Sequence, residues 1–195
     1  MKRAVDFLFE IGMLKRTPRT GFQFLGTGAE SVADHSFRTA VIGYALGCLV
    51  EGADPAKTAM MCLFHDLPEA RTADHNYVNK RYVTVDEAGA LEDQVEGLPF
   101  GDGISAMVKE FNGCDTLEAR LAKDADQLDL ILELKSQLDS GNPGAAEWLT
   151  YAVQRLSSQT GKALAAEILS SHSTDWWFDK KTDWWINGSV DPKGG

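Results

Sequence analysis

The sequence predicts an all-α fold. Apolar residues recur at intervals of three and four along most of the 195 residues, and prolines, glycines and N-cap side chains separate these periodic segments. No strand pattern of comparable strength appears. A hydrophobic content of 44% is enough for one substantial core. We therefore expect one helical domain over residues 1–172 and a carboxyl-terminal tail over residues 173–195.

The amino-terminal part contains three predicted helices. The first covers about residues 2–14 and the second about residues 31–51. The third begins with Asp54 as N-cap and Pro55 at the first helical position, and Pro68 stops it within the segment CLFHDLPEA. The residues expected to face the core are Val5, Leu8, Phe9 and Gly12 in the first helix, and Phe37, Val41, Tyr44, Ala45 and Cys48 in the second.

Four more helices are expected in the rest of the domain. After a polar connection, Thr84 and Glu87 have the spacing of a capping box and predict a helix that ends at Gly97, before Pro99. The other three are expected over about residues 116–138, 143–158 and 161–171.

The composition excludes several kinds of partner. The formal net charge of -10 disfavours a nucleic-acid polymer or an anionic membrane, although a small phosphorylated molecule needs only a local group of cations. Asp6 and Glu10 interrupt what would have to be the apolar part of a signal peptide, so we expect a cytoplasmic protein. The three cysteines, Cys48, Cys62 and Cys114, lack CxxC spacing and are expected to be buried free thiols.

The tail contains Thr-Asp-Trp-Trp twice, at residues 174–177 and 182–185. Two copies are too few for a repeat architecture. The tryptophans suit an aromatic lid, a subunit contact or an anchor that packs the tail onto the domain, and we favour the anchor. We expect the last residues, 188–195, to be loose.

A candidate metal site follows from His65 and Asp66 at the end of the third helix. Taken alone, this pair favours a structural interpretation over a site, with Asp66 as a solvated helix-end residue and His65 as a core histidine. His35, however, lies near the start of the second helix, and the long helix carries acids in an otherwise unfavourable position, at Asp124, Asp126 and Asp129. Two imidazoles and two carboxylates from three helices suit Mn, Fe, Co or Zn, with coordination positions left for water and a substrate oxygen.

The fourth ligand is ambiguous on periodicity alone. The apolar stripe of the long helix includes Asp124, whereas Asp126 falls nearly opposite that stripe. The stripe consists of Leu117, Leu121, Leu128 and Ile131. Periodicity therefore favours Asp124.

Four segments in this order resemble the HD-domain superfamily of metal-dependent phosphohydrolases, whose pattern is His, then His-Asp, then a distant Asp. They are LKRTPRTGF at 14–22, ESVADHSFR at 30–38, FHDLPEARTAD at 64–74 and LAKDADQLDLIL at 121–132. Within the superfamily, the sequence is most similar to the bacterial 5'-deoxynucleotidases and the eukaryotic HD domain-containing protein 2. The resemblance implies an HD-domain helical bundle with a metal site between central helices, a homodimer, and hydrolysis of (deoxy)nucleoside 5'-monophosphates.

The same resemblance implies roles for individual residues. It implies that one divalent ion, namely Mn, Co, Fe, Zn or Mg, is bound by His35, His65, Asp66 and Asp126, and so selects Asp126 over Asp124. Glu69 would act as general acid or base at the phosphate. Asp74 would contact the sugar hydroxyl, and Arg19 would bind the 5'-phosphate through its guanidinium.

Simpler interpretations of these residues stay open. Glu69 and Asp74 could be ordinary surface acids, and Arg19 a solvated loop residue. For Glu30 we prefer a helix N-cap to support of the site from outside. His75 and His172 have no partner in the motifs and are expected on the surface.

The function also has alternatives. The same metal site could act on another small phosphate ester or a cyclic nucleotide. A protein that binds a metal or nucleotide without turnover, or a purely structural domain, is also compatible with the sequence. The bacterial relatives often have Trp after the phosphate-binding Arg, whereas Thr20, Gly21 and Phe22 follow Arg19 here. The base and sugar preference therefore stays open.

Overall fold

A computed structural model of the chain describes residues 1–178, 181 and 184–187. Within these residues the protein is helical and has no strand, which confirms the predicted all-α class. The helices are α1 (Lys2–Ile11), α2 (Phe22–Leu25), α3 (Val32–Leu49), α4 (Pro55–Phe64), α5 (Glu69–Thr72), α6 (Glu87–Val95), α7 (Gly101–Gly113), α8 (Leu117–Asp139), α9 (Gly144–Gln154), α10 (Gln159–Ser170) and α11 (Trp184–Asn187). Short 3-10 turns cover Gly12–Lys15 and Asn79–Arg81.

The long helix α8 forms the centre of the bundle, against which α3, α4, α9 and α10 pack. The side chains Leu121, Leu128, Ile131 and Leu134 of α8 are almost fully buried. A smaller apolar cluster lies under α1, α6 and α7 and includes Phe7. The core is therefore arranged around the same helix that carries the acids of the candidate site.

Helices α3 and α4 pack at very short range because glycines line their contact. A Cβ atom added at Gly43 would lie 2.5 Å from Cys62 Sγ, and one at Gly47 would lie 2.5 Å from the Cα of Pro55. Such distances leave no room for any larger side chain. The small face of α3 is therefore the face that meets its neighbour.

The predicted core faces of α1 and α3 were wrong. In α1, Leu8 and Phe9 are 62% and 79% exposed, and in α3, Phe37, Val41 and Tyr44 are 70%, 54% and 55% exposed. Three further residues expected in these faces, Val5, Ala45 and Cys48, are also exposed, and Gly12 is partly buried. The close α3–α4 contact uses the small residues Gly43 and Gly47, and the large side chains Phe37, Val41 and Tyr44 lie on the exposed side of α3.

The start of α3 near residue 31 and the cap of α4 at Asp54 were predicted correctly, whereas Ser31 was not predicted as a cap. Ser31 caps α3 in a capping box with Asp34, and Asp54 caps α4 with Pro55 at the first helical position. The capping box expected at Thr84 was wrong, because Asp86 caps α6 by accepting a hydrogen bond from the Gly89 amide.

Helix α7 was not predicted, because its glycines were interpreted as the end of the preceding helix.

The cysteines are free, as expected, but only Cys62 is buried. Cys48 is exposed and Cys114 is partly exposed, so the expectation of three buried thiols was wrong.

In the described part of the tail, Trp177 contacts the rings of Phe178 and Trp185, with centroid separations of 5.5 and 5.6 Å. The Ser173 amide donates a hydrogen bond to Asp139 of α8, whereas Trp176 is 86% exposed. The anchoring role of the tail stays a prediction, and the segment expected to be loose, 188–195, lies outside the described residues. None of the helices in the described part of the chain has the length and hydropathy that a membrane-spanning helix needs.

Candidate metal centre and active site

Three helices bring the predicted metal ligands together. His35 lies in α3, His65 and Asp66 directly follow α4, and Asp126 lies in α8. The His35 side chain is fully buried and that of His65 is 3% exposed, whereas the side chains of Asp66 and Asp126 are 17% and 24% exposed. The cluster is therefore closed on the imidazole side and accessible from the carboxylate side.

The end of α4 orients His65. Its Nδ1 atom lies 2.6 Å from the carbonyl oxygen of Cys62, one helical turn earlier. A carbonyl oxygen only accepts, so Nδ1 carries the hydrogen and Nε2 is left with a lone pair. Pro68 lies just before α5, and the chain turns there so that Glu69 starts the next short helix.

The donor atoms of the cluster have the spacing of a single ion site. His35 Nε2 lies 3.4 Å from His65 Nε2, 3.5 Å from Asp66 Oδ2 and 3.2 Å from Asp126 Oδ1. His65 Nε2 lies 3.1 Å from Asp66 Oδ2 and 3.9 Å from Asp126 Oδ1. Ligand atoms at about 2.0–2.2 Å from one ion lie about 2.8–3.6 Å apart in neighbouring positions. The residues present therefore fit one divalent cation.

The electrostatics of the cluster also favour a cation. Burial lowers the pKa of His35, but hydrogen bonds with Asp126 and Asp129 outweigh burial and raise this pKa to about 10. Burial raises the pKa of Asp66, but the neighbouring His65 and His35 lower it to about 2. The same imidazoles hold the pKa of Asp126 well below its usual range. Ionised carboxylates thus surround this point, and they attract positive charge.

A buried carboxylate on the far side of His35 fixes its orientation. Asp129 Oδ2 lies 2.6 Å from His35 Nδ1, and the Asp129 side chain is 1% exposed. The imidazole N–H donates this bond, which directs Nε2 toward the cluster. Arg38 in turn binds Asp129 through Nε, and its Nη2 lies 3.3 Å from both Glu30 and Glu133.

Glu30 belongs to this network and does not cap α3. Ser31 is the N-cap, so our preference for Glu30 as a cap was wrong. The alternative, support of the site from outside, agrees with the ion pair between Glu30 and Arg38. Burial, together with the charge of Asp129, raises the pKa of Glu30 to about 7.

Asp124 lies away from the cluster and has a structural function. Its carboxylate accepts hydrogen bonds from the Ser157 amide and hydroxyl at 2.8 and 3.0 Å, and from the Ser158 amide at 2.7 Å. Asp124 is only 1% exposed, as the apolar stripe of α8 suggested. Periodicity thus identified a buried acid, but this acid fixes the start of α10 and does not reach the imidazoles.

Glu69 presents a buried carboxyl oxygen to the site. No described residue of the chain hydrogen-bonds to its Oε2 atom, although this atom is inaccessible to solvent. Burial, with the charges of Asp66 and Asp74, raises the pKa of Glu69 to about 9. The group is therefore protonated at neutral pH and can donate a proton.

Asp74 and Arg19 lie on the open side of the cluster. Asp74 Oδ2 accepts hydrogen bonds from the Thr20 amide at 2.6 Å and hydroxyl at 3.1 Å. Arg19 Nη1 lies 3.5 Å from Asp66 Oδ2 and 3.9 Å from Asp74 Oδ1. Burial lowers the pKa of Arg19, but Asp66 and Asp74 raise it more, so the pKa lies above its ordinary value.

The backbone before Asp74 is strained. Ala73 has φ 62° and ψ 162°, a combination adopted almost only by glycine, which costs about 1–3 kcal/mol for other residues. This conformation redirects the chain after α5 and turns the Asp74 carboxylate back toward Thr20. Strain of this kind persists where the surrounding structure holds it, as it does here beside the cluster of imidazoles and carboxylates.

A cavity of about 300 Å³ borders the carboxylates of the cluster together with Glu69, Asp74 and Arg19. A second group of residues, Tyr77, Trp148 and Arg155, lines the same cavity. The sequence interpretation missed the second group, since aromatic and basic residues in loops and amphipathic helices have no distinctive spacing. It noted Asp129 as an acid of α8 without giving it a role.

The two remaining histidines differ in position. His75, which was expected on the surface, is partly buried and lines the cavity, and its Nε2 lies 2.9 Å from the Thr72 carbonyl oxygen. His172 is exposed, as expected.

Comparison with protein families and curated proteins gives consistent relatives. The family described as HD domain matches residues 11–168. The 5'-deoxynucleotidase HDDC2 of Dictyostelium discoideum is 32% identical over 145 residues, which cover 68% of this chain and 76% of the relative. HDDC2 of Bos taurus is 29% identical over 150 residues, or 73% of this chain and 72% of the relative. The 5'-deoxynucleotidase hdd1 of Schizosaccharomyces pombe is 27% identical over 67% of this chain and 70% of the relative.

Solved structures share the helical fold. A conserved hypothetical protein from Pyrococcus furiosus superposes with a TM-score of 0.72 at 31% identity, over 86% of this chain and 99% of its own. A predicted metal-dependent phosphohydrolase from Magnetospirillum magnetotacticum has a TM-score of 0.68 at 22% identity, over 87% and 90% of the two chains. This second likeness concerns the fold alone.

Proposed function

The chain belongs to the HD domain family, and from this premise we propose that it is a metal-dependent phosphohydrolase that converts (deoxy)nucleoside 5'-monophosphates to nucleoside and phosphate. The observation that carries the proposal is the cluster of two imidazoles and two carboxylates beside a buried, protonated Glu69. The names of the curated relatives support this substrate class over other phosphate esters.

We propose that His35, His65, Asp66 and Asp126 hold one divalent ion, which is Mn, Co, Fe, Zn or Mg. When bound, this ion would supply Lewis-acid charge at the phosphate and acidify a water molecule. The donor spacing described above supports Asp126 as the fourth ligand. Asp124 is committed to the amides of Ser157 and Ser158.

Arg19 is proposed to bind the phosphate group. Its side chain is 20% exposed and borders both the cluster and the open cavity. The raised pKa keeps the guanidinium charged at neutral pH, and its fork can pair with two phosphate oxygens. The phosphate charge would then partly replace the carboxylate charges that Arg19 faces.

Glu69 is proposed to transfer the proton. Its Oε2 atom is buried, and no described residue competes for the proton that it carries. It can donate this proton to the 5'-oxygen of the nucleoside as the phosphorus–oxygen bond breaks, and so avoid release of an alkoxide.

Asp74 is proposed to accept a hydrogen bond from a sugar hydroxyl, because Thr20 fixes its Oδ2 and its Oδ1 is turned toward Arg19.

Phosphate release tests the proposal. Purified protein is incubated with a panel of deoxynucleoside and nucleoside 5'-monophosphates, sugar phosphates and phosphodiesters, each with added Mn, Co, Mg or Zn. We expect release from the 5'-monophosphates that depends on the metal and is abolished by chelator. Cleavage of diesters alone, or absence of turnover with every metal, would remove the nucleotidase assignment.

A homodimer is part of the same proposal. The exposed apolar side chains of α3, namely Phe37, Val41 and Tyr44, form the kind of surface that monomeric proteins seldom leave uncovered. We expect light scattering with size-exclusion chromatography to give the mass of two chains. Phe37→Glu should give the mass of one chain, and a wild type that is already monomeric would contradict the proposal.

A cytoplasmic location also belongs to the proposal. Three free cysteines suit a reducing compartment.

A further inference from the structure

We propose that Trp148 and Tyr77 form a nucleobase subsite in the active-site cavity, together with the apolar side chains Leu130 and Leu134. The proposal rests on the nucleotidase function proposed above and deepens it. It assigns a binding site to the nucleobase, the part of the substrate that the candidate metal ligands, Arg19 and Asp74 do not contact.

The subsite is continuous with the metal cluster. Tyr77, Leu130, Leu134 and Trp148 line the same cavity as Glu69. They also line a second hollow of about 440 Å³, which α9 residues such as Tyr151 border as well. A molecule held by its phosphate at the cluster would therefore extend along these side chains.

The chain itself limits the distance between Arg19 and the Trp148 ring. The nearest atom to a Cβ built on Gly21 is a ring carbon of Trp148, at 3.9 Å. Gly21 is two residues from Arg19, so their Cα atoms are at most about 7 Å apart. The loop that binds the phosphate therefore passes directly beside the indole, and both lie within reach of a single nucleotide.

Aromatic neighbours hold the indole in place. The Trp148 ring lies 6.2 Å from the Tyr77 ring at an angle of 74°, and 6.5 Å from the Phe24 ring at 48°. Trp148 is partly buried, whereas Tyr77 is 54% exposed although it borders apolar side chains. Aromatic rings that are held in place but still accessible suit a flat, uncharged heterocycle. Stacking on them stabilises any of the nucleobases, because every base has a flat face.

Polar groups border the aromatic slot. Arg155 Nη1 donates hydrogen bonds to the Tyr77 hydroxyl at 2.6 Å and to Gln127 Oε1 at 3.3 Å. Gln127 Nε2 donates to Asp126 Oδ2 at 3.1 Å, so a chain of hydrogen bonds runs from the metal cluster to Tyr77. An amide and a guanidinium can bind the donors and acceptors on the edge of a base.

The test compares a substrate that has a base with one that lacks it. Hydrolysis of 2'-deoxyadenosine 5'-monophosphate and of 2-deoxyribose 5-phosphate is measured for the wild type, Trp148→Ala and Trp148→Phe. The control is Trp176→Ala, which changes an exposed tail residue. We expect Trp148→Ala to lower kcat/KM for the nucleotide about 10-fold or more, mainly by raising KM. The kcat/KM for the sugar phosphate should stay within about twofold of the wild-type value. Trp148→Phe should recover most of the loss, and Trp176→Ala should change neither substrate.

Other results distinguish the proposals. Equal losses for both substrates, or no loss for the nucleotide, would overturn the base subsite and leave the nucleotidase function standing. If the wild type hydrolyses neither compound, the nucleotidase function fails, and calorimetric binding of the same two ligands decides the subsite. Weaker nucleotide binding by Trp148→Ala with unchanged sugar-phosphate binding would support it, whereas equal affinities in the wild type and Trp148→Ala would overturn it.

Discussion

Replacing Glu69 with Gln should stabilise the metal-free protein and abolish turnover. The pKa of Glu69 is raised from 4.5 to about 9, so between these pH values the folded chain keeps a proton that the unfolded chain releases. Because the folded state binds more protons, the free energy of unfolding falls as the pH rises through this window. One proton gives a slope of at most about 1.4 kcal/mol per pH unit. Gln resembles the protonated side chain and removes this dependence.

The magnitude follows from the width of the window. Since Glu69 is partly accessible and its pKa is raised jointly by burial, Asp66 and Asp74, we expect only part of the limiting slope. Between pH 5 and pH 8, Glu69→Gln should gain about 1–2 kcal/mol of stability relative to the wild type. Its turnover should fall by about 10²–10⁴-fold, because the proton donor is lost.

Urea denaturation in the presence of chelator, at pH 5, 6.5 and 8, measures the first effect, and phosphate release with added metal measures the second. The matched control is Glu92→Gln, whose side chain is 68% exposed and which should change neither quantity. If the substitution Glu69→Gln lowers the free energy of unfolding, and lowers it more at pH 8 than at pH 5, the argument from burial is refuted. Full turnover by this variant would refute its role as proton donor.

Three further predictions concern the metal, its support and the strained turn. The wild type purified without chelator should carry metal by elemental analysis, and His65→Ala should carry none; equal, negligible metal in both would exclude the metal site. Asp129→Asn should weaken metal binding about 10- to 100-fold in a chelator competition, because an amide holds the His35 imidazole less firmly than the carboxylate does. Glu133→Gln should have a small effect, and equal losses for the two variants would contradict the orientation of His35 by Asp129. Ala73→Gly should raise the free energy of unfolding by about 1 kcal/mol in urea melts, and a decrease would show that the turn is not strained.

Local signals in the sequence predicted helix ends better than helix faces. The cap at Asp54 depends on a side chain that accepts a hydrogen bond from a nearby amide, so it could be predicted from a few adjacent residues. The inward face of α3 depends on Gly43 and Gly47, whose small size matters only because α4 approaches so closely. A pattern of large apolar residues does not reveal such a contact.

The candidate site shows the same limit. Periodicity led to Asp124 because a buried acid on the apolar stripe is unusual, and the residue is indeed buried. What it binds, however, is the loop at Ser157, more than thirty residues away in the sequence. The position of Asp126 came from the resemblance to a family. The contact between Asp129 and His35 required the three-dimensional arrangement of α3 and α8.

The glycine contact between α3 and α4 also bears on the spacing of the two imidazoles in the candidate metal site. Cys62, which packs on Gly43, lies three residues before His65, so the backbone separation of the two helices carries directly to the distance between His35 and His65. A methyl group added at Gly43 would have to displace Cys62, and with it the helix that ends just before His65. A substitution at Gly43 would therefore change the distance between His35 and His65 without replacing any of the candidate ligands.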